Sequence, residues 1–300
     1  MHSDFLSLAD YSTEELSEIL DLADLLKEQQ RTRVDHRELK GKVVAMLFEK
    51  PSLRTRVTFE AGIFQLGGHA IFYPDKFGER EAEADVARNL TRWVDAIVAR
   101  TFRHKSVEDM ARYASVPVIN ALTDRLHPCQ VLADAQTLRE HRTTLDGLKV
   151  AFVGDGNNMF ASWANLATRF PFDLTLVCPE GYEGGKEIHA FAAREAKGSV
   201  SVCHDPAGGV RGADVIYTDV WASMGQEDEK NARALVFAPY QVNTELMSKA
   251  KRNALFMHCL PAHRGEEVTD EVIESSQSIV FDEAENRLHA QKAILVALMK

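Results

Sequence analysis

The 300-residue sequence predicts an α/β protein of two doubly wound, parallel-sheet lobes linked by long helices, with a ligand site in the cleft between them. Three observations lead there. Short apolar runs alternate with stretches whose apolar residues recur at spacings of three and four, the pattern of buried parallel strands separated by helices. That pattern restarts after Thr143-Thr-Leu-Asp-Gly-Leu148, the expected link between residues 1–142 and 143–283. The length suits two medium domains, since domains cluster at about 100–150 residues.

Taken in order, an amphipathic helix opens the chain over about 13–29, apolar at Leu16, Ile19, Leu20, Ala23 and Leu26. The strands of the first lobe are read at Val43–Phe48, Ala70–Tyr73, Ala96–Ala99 and Pro117–Ile119. The helical patterns between them cover Val57–Leu66, Asp85–Trp93 and Val107–Ala114. A longer helix covers about Pro128–His141. The second lobe repeats the scheme at Val150–Gly154, Leu174–Cys178, Val200–Cys203, Val215–Thr218, Leu255–His258 and Ile279–Phe281, and Glu283–Lys300 closes as a helix.

Composition removes several function classes. Lys and Arg number 35 against 45 Asp and Glu, a net charge of −10, so a nucleic-acid partner is not expected. No run approaches the roughly 20 apolar residues of a membrane span, and the start MHSDFLSLADYS lacks the pattern of a secretory signal. Cys129, Cys178, Cys203 and Cys259 are scattered without a C-x-x-C, which fits free thiols in a reduced, cytoplasmic protein. Cys203 and His204 do not have metal-ligand spacing beside Cys178. Those cysteines, like Cys129, are expected in the core, and Trp93, Trp163 and Trp221 as packing residues.

In open parallel sheets, ligands bind beyond the carboxyl ends of the strands. In the first lobe these ends carry Pro51-Ser-Leu-Arg-Thr-Arg56, Arg100-Thr-Phe-Arg103 and Asn120-Ala-Leu-Thr-Asp-Arg-Leu-His-Pro-Cys-Gln130. Ser52 is a candidate N-cap, and a helix N-terminus with an arginine beside it receives phosphate readily. The same residues also describe a capped helix with solvated arginines. In the second lobe the ends carry Gly154-Asp-Gly-Asn-Asn158, Asp219-Val-Trp-Ala-Ser-Met-Gly225 and His258-Cys-Leu-Pro-Ala-His-Arg264. Carboxylate, amide, hydroxyl and thiol together suit a zwitterionic amino acid, with Asp219 for the ammonium and Asn158 for the carboxylate. Met159 stands where G-x-G-x-x-G needs its third glycine, so a dinucleotide fingerprint is not supported.

"FEKPSLRTRVTFE", "HPCQVLAD", "GDGNN", "DVWASMGQ", "HCLPAHRGEEV" and "FDEAENRLHAQKA" occur in that order over nearly the whole chain. Together they resemble the aspartate/ornithine carbamoyltransferase family, with Ser-Met-Gly and His-Cys-Leu-Pro as the marks of its ornithine branch. The resemblance implies transfer of the carbamoyl group of carbamoyl phosphate to the side-chain amine of L-ornithine, giving L-citrulline and phosphate. It implies that Ser52, Leu53 (through its N–H), Arg54 and Thr55 hold the phosphate and that Arg100, His127 and Gln130 grip the carbamoyl end. Cys259 and Leu260 belong to the site, and Arg287 reaches back to it as the C-terminal helix 284–300 packs on the first lobe. Asn158, Asp219, Ser223 and Met224 are implied as the ornithine set. Arg100, His127 and Cys259 are the catalytic candidates. A homotrimer is the family's usual state.

The chemistry is consistent with that implication. The amine must be neutral to attack, and Asp219 and Cys259 can orient it. Thr55, Arg100 and His127 can stabilise the oxyanion that forms. Phosphate is a good leaving group, so no metal and no organic cofactor is expected. One departure stands out: relatives carry a loop after the second strand that reaches a neighbouring subunit's site, often with a Gln. Here Pro74–Glu81 is short, and Lys76 falls near that position. His258 and His263 are expected to shape their loop, and Glu227-Asp-Glu229 to lie in a solvated segment. The alternatives are another amine acceptor (N-acetylornithine, putrescine or aspartate) and a non-catalytic binding relative. The resemblance leaves the direction of the reaction open, toward arginine synthesis or toward carbamoyl phosphate.

Overall fold

The computed structural model describes residues 4–77, 81–222 and 229–299. The chain divides into two compact units, Met1–Gln136 with Glu285–Lys300, and Thr137–Ala284.

In the first unit, α1 (Thr13–Arg31) starts at a capping box. The Ser12 hydroxyl accepts from the Glu15 N–H, and the Glu15 carboxylate accepts from the Ser12 N–H. Its buried stripe is Leu16, Ile19, Leu20, Ala23 and Leu26. Then come β1 (Val43–Phe48), α2 (Leu53–Gln65), β2 (His69–Tyr73), α3 (Glu83–Leu90), β3 (Ala96–Arg100), α4 (His104–Tyr113), β4 (Val118–Leu122) and the start of α5 (Pro128–Arg142), whose residues from Thr137 on belong to the second unit. The four strands are parallel in the order β2-β1-β3-β4. β1 is apolar along its whole length and β3 up to Arg100, because both faces are covered, and Ala45, Leu47, Ile97 and Ala99 pack with Val107 and Met110.

The second unit runs β5 (Lys149–Val153), α6 (Asn158–Ala167), β6 (Asp173–Val177), α7 (Lys186–Glu195), β7 (Val200–Cys203), α8 (Pro206–Gly209), β8 (Val215–Thr218), α9 (Lys230–Phe237), α10 (Thr244–Met247), β9 (Leu255–His258) and α11 (Asp270–Ile273). Its five parallel strands take the order β7-β6-β5-β8-β9. The last helix, α12 (Val280–Met299), contributes most of its length to the first unit. Among the described residues, no helix is long and apolar enough to cross a membrane.

Several expectations need correction. Ile279–Phe281 is not a strand: Val280 already begins α12, whose first turn carries Asp282 and Glu283. The segment meets β9 through an isolated bridge at Ser278, in which Phe256 donates to the Gln277 carbonyl and accepts from the Ile279 N–H. β2 and β7 are half-exposed sheet edges rather than buried strands. Trp93 is 69% exposed, so it packs in no core of this chain, whereas Trp163 and Trp221 are buried. Cys203, on the edge strand β7, is half-buried, while Cys129 and Cys178 are buried. Helices α2, α3 and α4 begin two to four residues before the sequence reading, because the apolar spacing marks only the buried face and misses the first turn.

Candidate functional site

Each sheet has one switch point, where the connections leave neighbouring strands in opposite directions. It lies between β1 and β3 in the first sheet and between β5 and β8 in the second. The crevice beyond the strand ends at such a point is the natural ligand site of an open α/β sheet.

At the first switch point, β1 ends at Phe48 opposite Arg100, the last residue of β3, and the Glu49 N–H donates to the Arg100 carbonyl at 2.9 Å. The chain then turns into α2. The Ser52 hydroxyl caps it by accepting from the Thr55 N–H at 3.3 Å, which places Leu53, Arg54 and Thr55 in the first turn with their N–H groups at the helix mouth. Leu53 points its side chain to solvent, so only its backbone faces this mouth, whereas Thr55 is buried. Arg287 comes from α12. Its guanidinium donates to the Thr55 hydroxyl at 2.8 Å and to the Gln130 side-chain oxygen, and Gln130 in turn donates to Asp134 at 2.8 Å. Arg100 and His127 are also buried. Burial first, then the charges of Arg287 and Arg100, push the His127 imidazole well below its usual pKa, so it is neutral at physiological pH. Lys50, missed in the sequence reading, is a further buried cation beside this turn, its ammonium 4.5 Å from the centre of the Phe102 ring. Lys76 is exposed on the segment after β2.

A second buried imidazole in this unit, His289 on α12, is pushed down to about 3 by burial, with Lys292, Lys27 and His36 adding to the effect. Groups whose folded-state pKa is depressed in this sense are neutral when folded and charge only on unfolding. Acidification through 6.5 therefore favours the unfolded chain, by up to about 1.4 kcal/mol per pH unit for each group. The urea midpoint should fall between pH 7 and pH 5, and His289→Leu should flatten the fall. Equal slopes in the two proteins would refute this origin.

At the second switch point, Val153 of β5 pairs with Thr218 of β8. The turn after β5 passes so close to Glu183 that a Cβ on Gly156 would sit 2.4 Å from that residue's backbone, so this position accepts only glycine. Asn157 caps α6 through its side-chain oxygen, which accepts from the Met159 and Phe160 N–H groups. Its amide donates to Asp219 at 2.9 Å. The other Asp219 oxygen accepts from the Val220 N–H at 2.8 Å and from the Cys259 thiol at 3.0 Å. Asn158 begins α6, beside the cap. The Leu260 N–H donates to His258 Nδ1 at 2.8 Å, so Nε2 carries the proton toward Glu267, 3.1 Å away; this fixes the loop bearing Cys259 and Leu260.

Arg233 on α9 ties the neighbouring segments together. It donates to Asp155 at 2.8 Å, to the Trp221 carbonyl at 3.0 Å and to Glu229 at 3.0 Å. Burial raises the Asp155 carboxyl, and Arg233 opposes that rise. Ser223 and Met224, expected in the amino-acid set, lie outside the described residues, as do Glu227 and Asp228. Thus Ser52, Leu53, Arg54, Thr55, Arg100, His127, Gln130 and Arg287 gather within one unit, and Asn158, Asp219, Cys259 and Leu260 within the other. Asn157, which the sequence reading passed over in favour of Asn158, is the residue that caps α6 and bonds Asp219. Arg233 carries no motif, whereas Lys50 stands inside the quoted stretch FEKPSLRTRVTFE without having been given a role.

The aspartate/ornithine carbamoyltransferase carbamoyl-P binding domain model matches residues 3–140, and the Asp/Orn binding domain model matches 146–298. An ornithine carbamoyltransferase of Pyrococcus horikoshii is 53% identical over 99% of this chain and 95% of its own length. One of Chlorobaculum tepidum is 50% identical over 99% of this chain and 89% of its own. Among solved structures, the ornithine carbamoyltransferase of Pyrococcus furiosus superposes with a TM-score of 0.95 at 52% identity, covering 99% of this chain and 96% of that one. The anabolic enzyme of Campylobacter jejuni superposes at 0.93 and 38% identity, covering 98% of both chains. Phosphate-type donors at one switch point, amino-acid-type groups at the other, and sequence matches across both units lead to one conclusion: the chain belongs to the aspartate/ornithine carbamoyltransferase family.

Proposed function

We propose that the chain transfers the carbamoyl group of carbamoyl phosphate to the side-chain amine of L-ornithine, giving L-citrulline and phosphate. The observation that carries this reading is the unlike chemistry of the two switch points: a cation-rich helix mouth after β1 and β3, and a carboxylate–amide–thiol cluster after β5 and β8. The names of the relatives, ornithine carbamoyltransferases at about half identity, support the same substrates.

In this reading the unit 1–136 with 285–300 binds carbamoyl phosphate and 137–284 binds ornithine. The α2 N–H groups, Ser52 and Arg54 hold the phosphate. Thr55, Arg100 and neutral His127 donate to the carbonyl oxygen as it becomes an oxyanion, and fixed donors of this kind contribute on the order of 10²–10³ in rate each. Gln130, positioned by Arg287, holds the carbamoyl amide. Asp219 and Cys259 orient the ornithine amine, and Asn158 with Ser223 and Met224 receives the amino-acid end. The N–C bond forms, the C–O bond to phosphate breaks, and the amine proton leaves on the phosphate.

The homotrimer reading is supported by an apolar face at the edge of the first sheet. Leu53, Val57 and Phe64 (79% exposed) on α2, with Ile71 and Tyr73 on β2, are more than a solvated surface usually carries. Lys76 lies three residues beyond β2, on its exposed edge, which suits a contact from one chain to its neighbour's phosphate. The relatives from P. furiosus and C. jejuni are anabolic ornithine carbamoyltransferases, which favours the direction of arginine synthesis. Four free cysteines among the described residues suit a cytoplasmic setting, and recovery in a secreted or membrane fraction would contradict it.

A bisubstrate analogue joining a phosphonate to ornithine tests the reading as a whole. It should bind at least about 10²-fold tighter than either substrate, and citrulline formation should far exceed turnover of N-acetylornithine, putrescine or aspartate. Binding no tighter than ornithine alone would sink the transferase reading. Sedimentation of the same sample at one chain mass would sink the trimer.

A further inference from the structure

We infer that His263, Glu266 and Glu267 form a binding site for one divalent transition-metal ion, a structural ion that clamps the loop carrying Cys259 and Leu260. A tight turn creates the cluster. The Glu266 N–H donates to the His263 carbonyl at 2.8 Å, and Gly265, at φ 87°, lets the chain reverse so that its N–H meets the Val268 carbonyl at 2.8 Å. Three side chains thereby converge: Nδ1 of His263 and one oxygen from each glutamate all lie within 4.8 Å of one another. The His263 nitrogen is 3.5 Å from Glu266 Oε2 and 4.0 Å from Glu267 Oε2. Two ligand atoms about 2.1 Å from one ion, the usual length for imidazole and carboxylate, can stand up to about 4.2 Å apart, and both His263 separations fall inside that span.

The independent observation is Glu267. It is fully buried, and its two oxygens differ. Oε1 accepts from the His263 N–H at 2.5 Å and lies 3.1 Å from His258 Nε2. Oε2 is buried and has no hydrogen-bond partner, although it is turned toward His263. A buried acceptor left without a donor is uncommon and calls for a partner. Nearby cations do not supply one. Lys230 engages the other oxygen of Glu266, at 2.9 Å, and Arg264 is turned to Asp270 and Glu274. One imidazole and two carboxylates suit Mn²⁺, Co²⁺ or Zn²⁺ rather than an all-oxygen Ca²⁺ or Mg²⁺ site, with water filling the open positions on the exposed side.

The neighbouring group Asp219, His258 and Cys259 also has donors within reach of one another. It belongs to the ornithine cluster, however, and both ring nitrogens of His258 are engaged, by the Leu260 N–H and Glu267. The inferred ion takes no part in the transfer chemistry. It fixes Glu267, and through it His258 and the backbone from which Cys259 is presented.

Mn²⁺ alone, titrated into the full-length protein and followed by electron paramagnetic resonance, tests this without reference to turnover. One ion should bind. His263→Ala and Glu266→Gln, at partly exposed positions that leave the fold intact, should each weaken it by at least about 10-fold. Cys259→Ala should leave it unchanged, and amide exchange over residues 260–268 should slow when Mn²⁺ is bound. The inference fails if nothing binds by about 1 mM ion, if His263→Ala binds as tightly as the wild type, or if Cys259→Ala abolishes binding, which would move the ion to the Asp219 cluster.

Discussion

Replacing Arg100 by alanine should lower kcat/KM for carbamoyl phosphate by about 10²–10³, equivalent to about 3–4 kcal/mol of transition-state stabilisation. Arg100 closes β3 at the first switch point, 6% exposed, with its backbone locked to β1 through Glu49. Such a donor is preorganised: neither the strand nor the burial must change as charge develops on the carbonyl oxygen. Arg100→Lys separates charge from geometry. It keeps the cation but loses the planar fork, and it should recover only part of the activity. Removing Arg100 also removes one of the charges that depress His127, so the acid limb of the pH–rate profile should move to higher pH. Less than a tenfold loss in the alanine variant, with near-UV circular dichroism unchanged, would remove Arg100 from the machinery.

Asp219→Asn should raise KM for ornithine by about 10²-fold while leaving KM for carbamoyl phosphate near its original value. The expected size is that of a hydrogen bond to a charged group, about 1.5–3 kcal/mol. The carboxylate is held from three sides by Asn157, the Val220 N–H and the Cys259 thiol, so its position is set before substrate arrives. An asparagine preserves the shape and removes the charge that would face the ornithine ammonium. It also sets its own amide against that of Asn157. A rise in both KM values would indicate a folding defect, and unchanged ornithine kinetics would assign the amine to another group.

The strand ends were readable because local chemistry changes abruptly there. An apolar run such as Val43–Phe48 stops, and Pro, Ser and Arg follow. The Ser52 cap was readable for the same reason: capping is satisfied within a few residues. Ile279–Phe281 misled because a short apolar run has no period of its own, and Val280 there begins a buried helix rather than a strand. Asn157 and Asn158 look equivalent in sequence, and only the cap geometry and the bond to Asp219 distinguish them. Arg233 sits in a run of mixed charge that reads as solvated, yet it is buried against Asp155 and the Trp221 carbonyl.

By itself, the sequence determined which side chains stand at the ends of strands and the starts of helices, because hydrophobic periodicity, caps and turn residues act over a few positions. The tertiary structure alone decided which of those ends become neighbours. The orders β2-β1-β3-β4 and β7-β6-β5-β8-β9 put the end of β1, which leads into the Ser52 turn, beside Arg100 and Asn157 beside Asp219, and α12 brings Arg287 to Thr55 across most of the chain. Strand order and helix docking are settled by burial of whole faces, a non-local and non-directional force that leaves no mark at any single residue.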